Sequence, residues 1–231
     1  MMYTFENIDT IKSLKYPGEP SKKQIKKMES IKNGVFAEFD YSNFMHMSRP
    51  ANESLQTYYE LKTLKALPID EDFVKEKDEV EKCFENICIK NGIEYPKELV
   101  TKLVKGGEGI IQDLKWHHNR PRPIQLSKEY DIKLTNQLVL DSMKTPSFPS
   151  GHSATGILIS KVLANKYPHA SQEFIKEGKD ISYSRNIGRA HYPSDSKVGE
   201  SLGNSMYPVS YTHLRAHETV LDLVCRLLLE K

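Results

Sequence analysis

Three short segments gather cations, histidines and turn residues in a pattern for which a helical core has no use. The first places Lys115, Arg120, Arg122 and Pro123 around His117 and His118; the second reads Pro149-Ser150-Gly151-His152; the third holds Ser184, Arg185, Arg189, His191 and Asp195. In the second, Gly151 lets the backbone approach a ligand closely at the start of a helix. There the unpaired amides and the positive end of the helix dipole form an anion site that fits an oxyanion the size of phosphate. In the third, Pro193 lies between His191 and Asp195, which puts the histidine at the end of one helix and the carboxylate in the first turn of the next. A carboxylate so placed accepts from one imidazole nitrogen, fixes the tautomer and leaves the other nitrogen free as a nucleophile. Lys115, Arg122 and Arg185 supply positive charge for an oxyanion, the arginines in bidentate fashion.

Each residue alone has an ordinary role open to it. A lone histidine is usually a satisfied core or surface residue, Arg185 and Arg189 suit an exposed helix face, and Ser-Gly is a common helix cap. His46, His169 and the Lys-rich run at 22–27 belong to no cluster and take those ordinary roles. Arg120, His117, His118 and Arg189 fall in the gaps of the pattern and are expected to line a pocket. Trp116, the one tryptophan, is expected in packing or in a pocket wall. A metallohydrolase would also gather histidine and aspartate, here His117, His118, His152, His191 and Asp195. Against it stand the three neighbouring cations, which repel a divalent metal.

Taken in order, the segments resemble the signature of the type 2 phosphatidic acid phosphatase superfamily, which also holds the soluble class A acid phosphatases and the vanadium haloperoxidases. Eleven positions match: Lys115, six residues, Arg122-Pro123; then Pro149-Ser150-Gly151-His152; then Ser184-Arg185, five residues, His191, three residues, Asp195. The stretch PANESLQTYYELKTLK at 50–65 is similar to the helix that opens the core of the soluble members. The resemblance implies an all-α helical bundle and a metal-independent, acid phosphatase-like hydrolase of phosphomonoesters, with pyrophosphates as a second substrate class. It implies that His191 forms a phosphohistidine, that Asp195 orients His191, and that His152 protonates the leaving oxygen and then activates water. Lys115, Arg122, Arg185, Ser150 and the Gly151 amide would hold the phosphate oxygens. No cofactor is implied for a phosphatase, and vanadate is expected as an inhibitor. In the alternative reading, a haloperoxidase, vanadate is the cofactor; known members of that kind are considerably larger than this chain.

The elements that must position these residues read as helices. From Asp70 to Asn91 the apolar residues Phe73, Val80, Phe84, Ile87 and Cys88 recur at helical spacing, and Gly92 stops the run. A second helix starts near Pro96, carries Leu99, Leu103, Ile110, Ile111 and Leu114, and delivers LKWHHNRPRP, although Gly106, Gly107 and Gly109 weaken its middle. Pro121 and Pro123 end it, and PIQLSKEYD reads as a turn-rich connection. A third helix follows Gly151, another covers Gln172 to Ala190, and a last one starts at Ser194. Strand signals are scarce.

The chain divides into an extension over 1–50 that packs on the body, a helical phosphatase domain over 51–208, and a tail over 209–231. The tail, VSYTHLRAHETVLDLVCRLLLEK, resembles translated sequencing-adapter read-through and is expected to be non-native, which would leave the domain truncated. Its other reading is an amphipathic closing helix with Val220, Leu223, Val224, Leu227 and Leu228 at helical spacing. With 33 Lys and Arg against 31 Asp and Glu in 231 residues, net charge +2, no broad basic surface invites nucleic acid. No apolar run reaches the eighteen or so residues of a membrane span. The start of the chain has no readable secretory signal, which gives a cytoplasmic expectation by default. Cys83, Cys88 and Cys225 have neither metal-ligand nor disulfide spacing and read as small buried hydrophobes. The expected partner is a small phosphorylated substrate, and a homo-oligomer is compatible with the sequence.

Overall fold

The computed structural model of the protein describes residues 7–134 and 140–210, so residues 211–231 of the tail, Cys225 among them, lie outside the described residues. The architecture is all-α, with no strand among the described residues. In chain order the helices are α1 (Ile8–Ser13), α2 (Lys22–Glu29), α3 (Ser42–Met45), α4 (Leu55–Ala66), α5 (Glu71–Asp78), α6 (Val80–Lys90), α7 (Lys97–His118), α8 (Pro123–Glu129), α9 (Gly151–Lys166) and α10 (Ser171–Ile187). A further helix, α11, spans 193–210. None of them is long and apolar enough to cross a membrane, among the described residues.

Capping explains several of the starts. Ser21 accepts from the Gln24 amide and Gln24 returns a bond to the Ser21 amide, which starts α2 inside the Lys-rich run. Ser54 caps α4 and Ser150 caps α9, each by accepting an amide bond three residues on. The expected turn-rich connection after Pro123 is instead the helix α8, because Pro123 occupies its first turn, where a missing amide hydrogen costs nothing.

The long α7 centres the bundle. Its apolar residues Leu103, Ile110, Ile111 and Leu114 join Ala154, Leu158 and Val162 of α9, and Leu202 and Met206 of α11, with Phe36 and Phe44 from the extension, in one buried cluster. On the other side Phe84 and Cys88 of α6 meet Val100, Ile159, Leu163, Phe174 and Ile181. A third cluster joins Ile11, Leu61, Leu64, Leu126 and Tyr192. The glycines expected to weaken α7 leave it unbroken, because their missing side chains admit neighbours. A Cβ on Gly109 would lie 2.4 Å from the Lys27 carbonyl oxygen of α2, and one on Gly107 2.8 Å from Met206.

α11 comes equally close to α9. A Cβ on Gly199 would lie 2.3 Å from the Ser150 carbonyl oxygen, a contact that only moving a helix can relieve. Gly199→Ala is therefore expected to destabilise the fold by about 1–2 kcal/mol, overpacking exceeding the gain in helix propensity. A fall in the urea midpoint would register it; an unchanged midpoint would mean that α11 slides freely on α9.

One expected helix is two. The single helix read over Asp70–Asn91 breaks at Glu79, whose ψ of 69° is not helical. The Asp78 carbonyl, which an unbroken helix would offer to an amide one turn on, instead accepts from His152 Nε2 at 3.1 Å. Val74 and Lys77 of α5 are buried, Lys77 pairing with Glu177 of α10 at 2.7 Å. The break turns the end of α5 toward the residues singled out above.

Candidate active site

The last turn of α7 brings Lys115 into the protein interior, where it is 4% exposed. Its ammonium donates to the Pro146 carbonyl at 2.8 Å. Burial, with the Arg122 and Arg185 charges, drives its pKa well below the ordinary lysine value. Asn119, left-handed with φ 43°, ends α7. The chain beyond it delivers Arg122, which donates to the carbonyls of Thr145 and Ala190, both at 2.8 Å. A third Arg122 contact is 3.0 Å from Nη1 to His191 Nε2.

That last contact decides the state of His191. A guanidinium only donates, so Nε2 accepts and carries the lone pair. The other ring nitrogen, Nδ1, lies 3.4 Å from Asp195 Oδ2 and holds the proton. Burial, then Arg122 and Lys115, push the His191 pKa well below the ordinary histidine value, so the ring is neutral with its free nitrogen toward the cations. Asp195 is fully buried and accepts from Arg120 at 2.6 Å, from the Tyr192 amide at 3.1 Å and from the Ser147 hydroxyl. Burial alone would raise this carboxyl; the Arg120 charge and the bonds from His191 and Ser147 outweigh it and hold the group ionised well below the usual range.

Residues 100–217 match the sequence profile of the PAP2 superfamily. The chain belongs to that superfamily. Among its relatives, the non-specific acid phosphatase of Salmonella typhimurium is 33% identical over 105 residues, 46% of this chain and 41% of that protein. That of Salmonella typhi is 32% identical over the same length, and that of Providencia stuartii 29% over 110 residues, 47% of this chain and 43% of that protein. The matched segments thus span less than half the length of these relatives. Among solved structures, a bacterial vanadium-dependent iodoperoxidase aligns with 90% of this chain and 54% of its own, at 15% identity and a TM-score of 0.44.

The second and third segments are joined to one another and to the end of α5. Ser150 caps α9 and donates its own amide to the Asp195 carbonyl at 3.0 Å, so the second segment is tied to the third. Gly151 opens α9, and a Cβ there would lie 3.1 Å from Ile111 and 3.8 Å from Lys115. Arg185, fully buried on α10, donates Nη1 to Asp78 at 2.8 Å and Nη2 to Ser142 Oγ at 3.0 Å. His152 lies 3.1 Å from the same Asp78 oxygen. Lys115, Gly151, His152 and His191 all border one cavity of about 860 Å³, whose outer wall includes Lys23 and Lys27 of α2, Tyr95 and Gln112.

Residues in the gaps of the signature go elsewhere than into this cavity. His118 meets the Phe44 carbonyl at 2.8 Å and stacks edge-on against Phe148. His117 packs against His118, and Trp116 against Tyr16. Arg189, left-handed with φ 55°, reaches back to the Leu64 carbonyl at 3.2 Å. The five-residue metal set read from the sequence is therefore not assembled; among the described residues no group of three or more His, Cys, Asp or Glu is placed to hold a metal ion. Arg120 does serve the site, from behind: it is fully buried, and bridges Asp195, Ser194, Thr57 and Glu60 at 2.6–3.3 Å while stacking on Tyr192.

Neither Asp78 nor Glu60 is marked out by sequence spacing. Asp78 sits among the charged residues of a helix and carries no spacing that marks it out. Glu60 accepts from Arg120 and from both the amide and hydroxyl of Ser194. Its signal was a carboxylate on the same face of α4 as Thr57 and Leu61, all three buried.

Proposed function

We propose that the protein is a metal-independent phosphatase that hydrolyses phosphomonoesters, and pyrophosphates as a second class, through a phosphohistidine on His191. The observation that carries the reading is the pairing of His191 on both sides, Asp195 on Nδ1 and a cation on Nε2, which presents a lone pair where a phosphoryl group would be held by Arg122. His191 Nε2 attacks phosphorus as the bond to the leaving oxygen breaks, and His152 gives that oxygen a proton. Water then attacks phosphorus, yields a proton to His152, and the P–N bond breaks to return neutral His191. Lys115, Arg122 and Arg185, with Ser150 and the Gly151 amide, hold the phosphate oxygens as charge builds on them. Asp195 keeps the imidazole oriented and balances its charge in the intermediate. The domain over 51–208 would carry this chemistry. The extension over 1–50 would supply part of the cavity wall through α2, and the substrate would be small enough to enter that cavity.

The same cations and backbone amides fit vanadate, which mimics the five-coordinate phosphorus. Vanadate is thus an inhibitor in this reading; the haloperoxidase reading would require halide oxidation in its presence.

Release of p-nitrophenol from p-nitrophenyl phosphate with EDTA present tests the proposal, and its pH profile tests the roles. His191 must be neutral and His152 protonated. The acid limb then belongs to His191, whose depressed pKa lets activity persist at low pH. The alkaline limb belongs to His152, which burial and the Arg185 charge hold below its ordinary 6.5 despite Asp78. A bell lying on the acid side of neutrality, unaffected by EDTA and suppressed by vanadate, is the expected result. An alkaline limb above 6.5 would remove His152 from the role of acid, and dependence on added metal would overturn the mechanism.

A further inference from the structure

Asp78 lies outside the family signature, yet its carboxylate reaches two of the residues inside it. One oxygen, Oδ1, is 3.1 Å from His152 Nε2, 2.8 Å from Arg185 Nη1 and 3.2 Å from Ser142 Oγ. The backbone carbonyl of the same residue is also 3.1 Å from His152 Nε2. Two acceptors on one imidazole nitrogen require that this nitrogen carry the proton. The break between α5 and α6 at Glu79 is what allows both acceptors to face inward at once.

We propose that Asp78 is the positioning residue of His152, doing for the acid and base what Asp195 does for His191. The inference rests on the phosphatase reading above for His152's role, but not for the pairing itself. Asp78 holds the Nε2 proton in place, so the nitrogen that exchanges protons with substrate is Nδ1. In the first half-reaction the Nδ1 proton of the imidazolium passes to the leaving oxygen as its bond to phosphorus breaks. The electron pair stays on Nδ1 and the Nε2 proton stays against Asp78. In the second, water returns one proton to Nδ1 while its oxygen bonds phosphorus.

Charge supports the same assignment. The charged groups acting on His152 are Asp78 from the α5–α6 junction and Arg185 from α10; Lys115 of α7, His191, Lys144 and Glu79 border the same cavity. Burial and Arg185 disfavour the imidazolium, and Asp78 opposes them. Asp78 is itself ionised: burial alone would raise its carboxyl, but the bond from His152 and the Arg185 charge bring it down to about 2.

The test is Asp78→Asn, which keeps shape and hydrogen-bonding capacity but removes the charge, with Asp78→Glu as the rescue. Two readouts are taken: the pH profile of p-nitrophenyl phosphate hydrolysis, and the NMR titration of the His152 ring, assigned by its loss in His152→Gln. In Asp78→Asn the alkaline limb and the His152 titration should both move to lower pH by about one unit. kcat should fall by about 10- to 100-fold, the cost typical of losing the partner that orients a functional histidine, while Asp78→Glu recovers part of both. If the wild type is active and neither the limb nor the titration moves, Asp78 is not the partner of His152. A fall in KM with an unmoved limb would likewise overturn the proposal and mark Asp78 as an internal competitor for the phosphate site. If the wild type releases no p-nitrophenol, the phosphatase reading fails on its own, and the titration alone decides the pairing: a shift upholds it, none defeats it.

Discussion

His191→Ala is expected to reduce p-nitrophenyl phosphate hydrolysis by about 10⁴-fold or more while leaving the helical circular dichroism signal unchanged. The magnitude follows from removing the atom that, in the proposed mechanism, bonds to phosphorus: proximity and the cations remain, but no covalent intermediate can form, and removal of a nucleophile costs on that scale. Folding should tolerate the change, because the ring's two contacts are to groups held independently. Asp195 keeps Arg120, Ser147 and the Tyr192 amide, and Arg122 keeps the Thr145 and Ala190 carbonyls. Enzyme given a substrate labelled on phosphorus and quenched in alkaline denaturant should carry alkali-stable, acid-labile label in the wild type and none in His191→Ala. Equal rates for the two proteins would end the assignment.

Arg120→Ala is expected to be the most damaging change to stability, by about 3–5 kcal/mol in urea unfolding, with activity lost in parallel. Both Arg120 and Asp195 are fully buried and 2.6 Å apart, and Glu60 is nearly so. Removing the arginine leaves two buried carboxylates without a counter-charge, and breaking such a pair costs far more than the pair contributes against an apolar replacement. The catalytic loss follows from the same event. An Asp195 without Arg120 is easier to protonate, and a protonated Asp195 no longer balances charge on His191. Arg120→Lys, which keeps the charge but lacks the planar fork that spans four partners, should fall between the two. A stable, active Arg120→Ala would show that Asp195 is held by Ser147 and Tyr192 alone.

What the sequence made legible was the chemistry with fixed spacing. His191 and Asp195 flank Pro193, and a helix starting there has to set the carboxylate in its first turn; Gly151 and Ser150 announce a helix start. The all-α class followed from helical periodicity and scarce strand signals. What remained unread depends on contacts between segments far apart in the chain. Arg120 reads as a pocket-lining residue from sequence because only the fold brings Glu60, sixty positions earlier, to its back. The break at Glu79 is invisible because the residues around it keep helical periodicity; the Asp78 carbonyl beside it meets His152, 74 positions on from Asp78. The α7 glycines read as weak points for the same reason: their use is the approach of Met206 of α11 at Gly107 and of α2 at Gly109, which periodicity within α7 does not encode.

That approach has a further meaning for how this site can change. α2 rests on the backbone of α7 at Gly109 and sends Lys23 and Lys27 to the outer cavity wall, while Lys115 descends from the same α7 into the interior. In the proposed phosphatase, the phosphate-holding floor and the α2 side of the cavity are therefore mounted on one helix but written in separate stretches of sequence. Among the described residues, Lys23 carries no such tie to α7, whereas Lys27 is bound to it twice, by its carbonyl against Gly109 and by its ion pair with Glu108. In the proposed phosphatase, a change at Lys23 would then alter the cavity wall and leave the position of Lys115 unchanged.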